Sequence, residues 1–331
     1  MNDVARAVRL TRAGRQPVTA DGLEVTELGT PRPGAGEVLV RVHHFSLDPY
    51  QRIRMRELDT GEVPPAGAVG QVLASRTAQV AEGAWVLGEL GWRDLAVVPA
   101  EQVEVFEPHP DVPLHHYVGL LGLSGLTAYF GTTEVLRPDA GERIVVSGAS
   151  GGVGQIAAQV AALLGARVLG IVGSPDKQAA LLERGIESVI HRDQDWTEQL
   201  EAWAPDGVDG YFDNVWGPVS SRVVERLRPL GRIALCGQMT GLSSGRVPPL
   251  DIDWYLLLTR SLRLQGFRAV DYRSRYPEAR AALARWYLDG RLEQKVRLVA
   301  GLEQAGAAFE DLINARATGK TIVGTGAAPG Y

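Results

Sequence analysis

Hydrophobic positions recur with two different periods along this chain, and the period changes near residue 117. Before it, short apolar runs between turn residues predict strands. Val38 to Val42 alternates around Arg41, Val69 to Leu73 follows the Pro64-Pro65 break, and Trp85 to Leu87 precedes Gly88. This is a β-rich module. Beyond it, strand patterns at 143–147, 167–172, 188–190, 208–213 and 232–236 alternate with helical patterns around 120–130 and at 153–164, 176–184, 196–203, 220–227 and 276–288. A parallel, doubly wound sheet accommodates that alternation most simply. The last of these helices has Pro277 near its start, Leu283, Trp286 and Tyr287 on one face, and Gly290 as its stop. Lys320 to Val323 then reads as a strand returning to the first module, and the tail 324–331 reads as loose. The expected organisation is a β-rich domain over 1–118, completed by 291–331, and an α/β domain over 119–290.

The segment 145–154, V-V-S-G-A-S-G-G-V-G, joins an apolar strand to a helix through a turn with glycine at 148, 151, 152 and 154. Glycine lets a backbone turn sharply and approach a ligand, and the start of a helix aims unpaired N–H groups and a positive dipole end at an anion. The turn therefore suits a phosphate. Its G-x-x-G-x-x-G spacing departs from the stricter G-x-G-x-x-G, but Val153, Ile156, Ala157, Val160, Ala161 and Leu164 give the following helix one apolar face to lay on a sheet. The strand at 167–172 arrives roughly 20 residues after the first glycine, where a dinucleotide fold places the acid that reads the adenosine ribose. Here that acid is missing. Gly173-Ser174-Pro175-Asp176-Lys177 follows instead, in which Ser174 suits a helix N-cap and Pro175 the first helical position. Lys177 in the first turn opposes the helix dipole unless a negative group faces it. That group is read as the 2′-phosphate of NADPH; the plainer alternative is a solvated lysine.

The same turn matches G-x-S-x-G around Ser150, as a hydrolase nucleophile would. A serine nucleophile of that kind needs an acid and then a histidine later in the chain, and only His191 follows, too close for that layout. Hydrolysis is set aside. Composition narrows the field further. The 331 residues suffice for two domains with their own cores, and 34 basic against 39 acidic residues leave no basic field for nucleic acid or an anionic membrane. No apolar signal core or span-length segment is present. The lone Cys236 allows no internal disulfide and no thiolate-rich zinc site, which fits a reducing, cytoplasmic setting. Histidines are paired at 43–44 and 115–116, and neighbours on a strand face opposite ways, so no metal site is expected.

A β-rich module followed by a dinucleotide domain and a C-terminal return resembles the medium-chain dehydrogenase/reductase superfamily. Within it, the chain resembles the zinc-independent, NADPH-dependent alkenal/one reductases, the group of prostaglandin, curcumin and plant double-bond reductases. The resemblance rests on Asp48-Pro49-Tyr50, the 125–131 segment G-L-T-A-Y-F-G, the 150–154 turn, Asp213-Asn214-Val215, the 231–237 segment G-R-I-A-L-C-G, Gly266-Phe267 and the 319–323 segment G-K-T-I-V. It implies a Rossmann domain plus a GroES-like catalytic domain. It also implies Gly151, Gly152, Val153 and Gly154 at the pyrophosphate, Ser174 and Lys177 at the 2′-phosphate, and Thr127, Asn214, Cys236, Gly237 and Phe267 around the nicotinamide. Thr127 and Asn214 also fit plain capping or turn roles. Homodimer formation is implied as well, with the segment 262–267 pairing across subunits.

The chain departs from that pattern at several positions. Arg192 stands where a tyrosine usually touches the 2′-phosphate, and its planar fork suits phosphate oxygens. Thr259 replaces a tyrosine, with Tyr255 one helical turn earlier; Ala317 replaces an asparagine, Trp216 a glycine and Ser124 a proline. The implied reaction is hydride delivery from NADPH to the β-carbon of an α,β-unsaturated ketone or aldehyde, leaving an enolate. Tyr50 and Tyr255 are the candidate catalytic donors, beside the ribose hydroxyl of the cofactor. Three other readings are compatible: a reductive cyclase in which the enolate closes a ring, motivated by Thr259 and Ala317; an NADPH:quinone reductase; and an NADPH-sensing module without turnover.

Overall fold

The computed structural model describes residues 4–13, 19–244, 249 and 251–326, so the predicted loose tail lies outside the described residues from 327 onward. In chain order, the described residues first form β1 (Ala5–Leu10), β2 (Leu23–Leu28), β3 (Glu37–Ser46), the short α1 (Gln51–Met55), β4 (Gly67–Ser75), β5 (Trp85–Glu89), β6 (Leu95–Pro99) and β7 (Val103–Phe106). Then follow α2 (Leu123–Phe130), β8 (Arg143–Ser147), α3 (Gly154–Leu163), β9 (Arg167–Val172), α4 (Pro175–Leu182), β10 (Glu187–Ile190), α5 (Trp196–Trp203), β11 (Val208–Asp213) and α6 (Pro218–Glu225). The remainder is β12 (Leu227–Leu235), α7 (Met239–Ser244), α8 (Trp254–Thr259), β13 (Arg263–Gly266), α9 (Tyr276–Leu288), β14 (Val296–Ala300), α10 (Ala305–Ile313) and β15 (Lys320–Gly324).

Two compact units result: Met1–Gly122 with Val296–Ala317 and Thr321–Tyr331, and Leu123–Lys295 with Thr318–Lys320. The boundaries differ from the expected 118 and 291 because side chains of α3 hold the chain after α9. Gln159 Nε2 donates to the Glu293 carbonyl at 2.8 Å, and the Lys295 N–H donates to Gln155 Oε1 at 2.7 Å. Residues 318–320 go with the second unit because the Gly319 N–H donates to the Ser150 carbonyl at 2.9 Å.

The first unit is a seven-stranded sheet in the order β14-β15-β3-β4-β5-β7, with β6 also on β3, and a separate β1-β2 pair. Alternate residues of β3 and β4 bury Val38, Val40, Val42, Phe45, Ala68 and Val72 in one core. Trp92 anchors that core, stacked on Phe45 at 5.8 Å and edge-on to Phe309 of α10 at 5.3 Å. Such aromatic packing contributes beyond the area it buries.

The second unit is a six-stranded parallel sheet in the order β10-β9-β8-β11-β12-β13. This is the dinucleotide-binding order, and its direction reverses between β8 and β11. In such sheets ligands sit beyond the carboxyl ends of the strands at that reversal. The glycine turn follows β8 and Asn214 follows β11, so both lie at this switch point. Its core is built from the apolar runs of the strands, including Val145, Leu169, Ile171, Tyr211 and Ile233.

The histidine pairs depart from expectation. His115 and His116 lie on a 3₁₀ turn at Leu114–Tyr117, not on a strand, and their ring centroids are 4.5 Å apart. His44 on β3 meets His115 edge-on at 6.0 Å. Burial, then His115 and His43, push the His44 imidazole down to about 4. Its folded pKa thus lies below its unfolded value, so the unfolded chain binds the proton first as pH falls. Its contribution is intact above about pH 6.5 and is lost between there and pH 4, a change of about 3 kcal/mol. Denaturant unfolding across this range should show that slope in the wild type and a shallower one in His44→Asn; equal slopes would contradict it.

Candidate active site

Each unit carries its own set of candidate residues. In the second unit, Gly148 turns the chain out of β8 with φ +59°, a left-handed conformation that glycine accepts without strain. A Cβ on Gly154 would come within 2.3 Å of the Gly148 carbonyl oxygen, so only glycine lets α3 start so close to the strand. No side chain caps α3 and its first turn carries no acid, so its positive end has no anionic side chain of its own in that turn. Gly151 bridges to Gly319 in a parallel pair, and the Lys320 stem lies 2.9 Å from where a Gly152 Cβ would be. The return segment therefore braces the glycine turn, a role the pattern at 319–323 did not reveal.

Beyond β11, one carboxylate oxygen organises the strand ends. Asp213 is buried, and its Oδ1 accepts from Ser147 Oγ at 3.1 Å, from the Tyr211 hydroxyl at 3.0 Å, and from the N–H groups of Val215 and Trp216 at 2.9 Å each. Its backbone carbonyl accepts the N–H of Cys236 at 2.9 Å and of Gly237 at 3.0 Å. One residue thus ties β8, β11, β12 and the loop into α6. Asn214 is fixed on the same frame, its Nδ2 donating to the Ser147 carbonyl at 2.8 Å and its N–H to Ser147 Oγ at 3.1 Å. Trp216 is held at φ +65°, a strained setting for a bulky residue and a common mark of functional loops. Cys236 is half-buried as a residue, but desolvation of its thiol and then the Asp213 carboxylate push it up to about 12. It stays a thiol at neutral pH.

The other predicted residues fall as follows. Thr127 is half-buried on α2, and the buried Ser124 of the same helix lies 3.3 Å from a notional Gly152 Cβ. The Phe267 ring packs edge-on to Phe212 at 6.0 Å and reaches to 2.4 Å from a notional Gly131 Cβ. It is anchored inward at the end of β13. Ser174 takes the extended N-cap position of α4 with Pro175 next, but its side chain makes no capping hydrogen bond, contrary to the role expected for it. Lys177 in that first turn is half-buried, and burial followed by nearby Arg192 pulls its ammonium below the ordinary lysine value. Past the end of β10, the exposed Arg192 and half-buried His191 complete a basic group that includes a residue not picked out from the sequence.

In the first unit, β3 turns into α1 through a local network. Ser46 Oγ donates to the Asp48 carboxylate, the Asp48 N–H to Gln51 Oε1 at 3.0 Å, and Gln51 Nε2 to the Ser46 carbonyl at 2.8 Å. That network sets Tyr50 as the N-cap residue of α1. Burial, then the Asp48 and Glu89 carboxylates, raise its phenol well above the usual tyrosine range, so it remains a protonated donor. Tyr255 differs. It is 66% exposed on α8 beside Trp254 and Leu258, 68% and 72% exposed. The Thr259 hydroxyl is used within that helix, donating to the Tyr255 carbonyl at 2.9 Å.

Comparison with known proteins follows the same division. Residues 6–106 match the family described as N-terminal domain of oxidoreductase, and residues 152–285 the family described as zinc-binding dehydrogenase. Among the described residues no group of three or more His, Cys, Asp or Glu is placed to hold a metal ion, and no helix is long and apolar enough to cross a membrane. The chain is 33% identical over 315 residues to the NADPH-dependent curcumin reductase of Escherichia coli (strain K12), covering 91% of this chain and 90% of that one. It is 34% identical over 302 residues to the NADP(+)-dependent 2-alkenal reductase of Nicotiana tabacum, covering 88% of each. The crystal structure of CurA from Vibrio vulnificus in complex with NADPH is similar with a TM-score of 0.89 and 32% identity, over 98% of this chain and 100% of that one.

Removing the Asp213 acceptor strands several buried donors, and Asp213→Ala should cost about 3 to 5 kcal/mol in denaturant unfolding. Asp213→Asn, which keeps one acceptor oxygen, should cost less; an unfolding midpoint unchanged in both variants would contradict the role given to this carboxylate.

Proposed function

The chain belongs to the zinc-independent, NADPH-dependent alkenal/one reductases of the medium-chain dehydrogenase/reductase superfamily, and on that premise we propose that it saturates the C=C bond of α,β-unsaturated ketones or aldehydes. One observation carries the cofactor half of this reading. At a dinucleotide switch point, the place of the ribose-reading acid is taken by cations, and burial, then the charge of nearby Arg192, weaken the hold of Lys177 on its proton. A dianionic 2′-phosphate relieves that repulsion.

When bound, NADPH supplies a hydride to the β-carbon of the substrate. The chain's residues bind and orient. Ser174, Lys177 and Arg192 hold the 2′-phosphate, Gly151, Gly152, Val153 and Gly154 the pyrophosphate, and Thr127, Asn214, Cys236, Gly237 and Phe267 border the nicotinamide. Tyr50 is the catalytic donor we assign to the carbonyl oxygen, where charge collects as the enolate forms, because the Ser46, Asp48 and Gln51 network fixes it at the start of α1. The α-carbon proton then comes from Tyr50 or water. A protonated Cys236 also matters chemically. Enones alkylate thiolates, and a thiol pushed up to about 12 stays inert beside its own substrate.

Tyr255 is reassigned from catalysis to assembly. We place it with Trp254 and Leu258 in a homodimer contact alongside β13, the edge strand of the six-stranded sheet. The single thiol fits a cytoplasmic setting.

Lys177→Ala should reduce the preference for NADPH over NADH by about 10- to 100-fold in kcat/KM, the loss expected for a charge-assisted bond to phosphate. An unchanged preference would remove Lys177 from the 2′-phosphate site. Tyr50→Phe should lower kcat on an enone by about 10²- to 10³-fold with NADPH affinity intact. A wild-type rate in that variant would leave the enolate donor elsewhere.

A further inference from the structure

His191 stands in the basic group without a role in the reading above. β10 pairs with β9 in register, Ile190 opposite Val172, and the His191 N–H donates to the Val172 carbonyl at 3.0 Å. Its imidazole Nε2 lies 3.4 Å from where a Cβ on Gly173 would be, so the ring covers the turn from β9 into α4 that carries Ser174 and Lys177. Arg192 follows it in sequence, and Lys177 faces it from α4. The remaining charged groups of these two segments are Asp176, exposed in the first turn of α4, and Asp193, exposed after Arg192.

Resting on the 2′-phosphate reading of this site, we propose that His191 is a specificity-determining member of the phosphate clamp, and that it takes up a proton when NADPH binds and none when NADH binds. Two cations, Arg192 and Lys177, act on the ring in the free protein, and burial, then those charges, depress its pKa, so it is neutral at pH 7. A phosphate placed among the three groups reverses the sign of the nearest charge. The imidazole then gains a favourable partner, its pKa rises, and binding draws a proton from solvent. Affinity for NADPH therefore increases as pH falls through the window between the free and bound pKa values of His191, by at most tenfold per pH unit. The phosphate monoester titrates near pH 6 and gives an effect of the opposite sign, since cations favour its dianion and it releases its proton on binding.

Titration calorimetry of the full chain with NADPH at pH 7, in two buffers of different ionisation enthalpy, counts that proton directly and needs no turnover. The expected result is net proton uptake with NADPH, none with NADH, and loss of the uptake in His191→Gln. The variant should also bind NADPH up to about tenfold more weakly than wild type at pH 6 and nearly equally at pH 8. Net release, or uptake that persists in His191→Gln, would overturn the role of His191 while leaving the 2′-phosphate site in place. NADPH binding no tighter than NADH would overturn the site itself.

Discussion

Four hydrogen bonds converging on a single buried oxygen, Asp213 Oδ1, hold the functional end of this protein together. A parallel sheet secures its strands along their length but leaves the carboxyl ends to be fastened by side chains, and ligands bind at those ends. Here a carboxylate takes that task for β8 and β11, while the same residue's carbonyl positions the end of β12. The consequences reach outward in order. Asn214 is fixed against Ser147, the Trp216 loop is held in a strained conformation, and the Cys236 thiol is kept protonated. A reductase of electrophilic enones requires a site that is rigid and free of thiolate; Asp213 supplies the rigidity, and burial, then the Asp213 carboxylate, keeps the thiol protonated.

A second constraint is electrostatic. Lys177, His191 and Arg192 come together where the sheet presents the ends of β9 and β10, and burial, followed by the charge of Arg192, leaves Lys177 and His191 with depressed affinities for protons. Concentrating like charges costs stability unless a ligand offsets it. The glycine turn supplies the other half, a helix start left without an acid in its first turn. On the proposed reading, the backbone dipole would serve the pyrophosphate and the side-chain cations the extra phosphate, two separate devices.

Much of this was legible in the chain. The strands 143–147, 167–172 and 208–213 and the helices 196–203 and 276–288 occupy the predicted residues, because a buried parallel strand reads as an unbroken apolar run and an amphipathic helix declares its period. The strands β1, β2, β6 and β7 were not distinguished: β2 and β7 are only half-buried, and β1 and β6 are short and lack clean alternation. The phosphate turn was readable since glycine spacing is local. The Asp213 network, the brace from Gly319 and the position of His191 were not, because each joins segments distant in sequence and depends on strand register. The exposure of Tyr255 was not legible for a related reason: its place one helical turn from Thr259 says nothing of which face of α8 it occupies, and that face is exposed.

The central claim is that this scaffold directs hydride to the β-carbon of an enone. Its most direct test is turnover of a simple enone with NADPH carrying deuterium at the transferring position of C4, with the product mapped by NMR and mass spectrometry. One deuterium on the β-carbon of a saturated ketone is the expected result. Deuterium on the carbonyl carbon of an allylic alcohol, or no transfer at all despite NADPH binding, would contradict it.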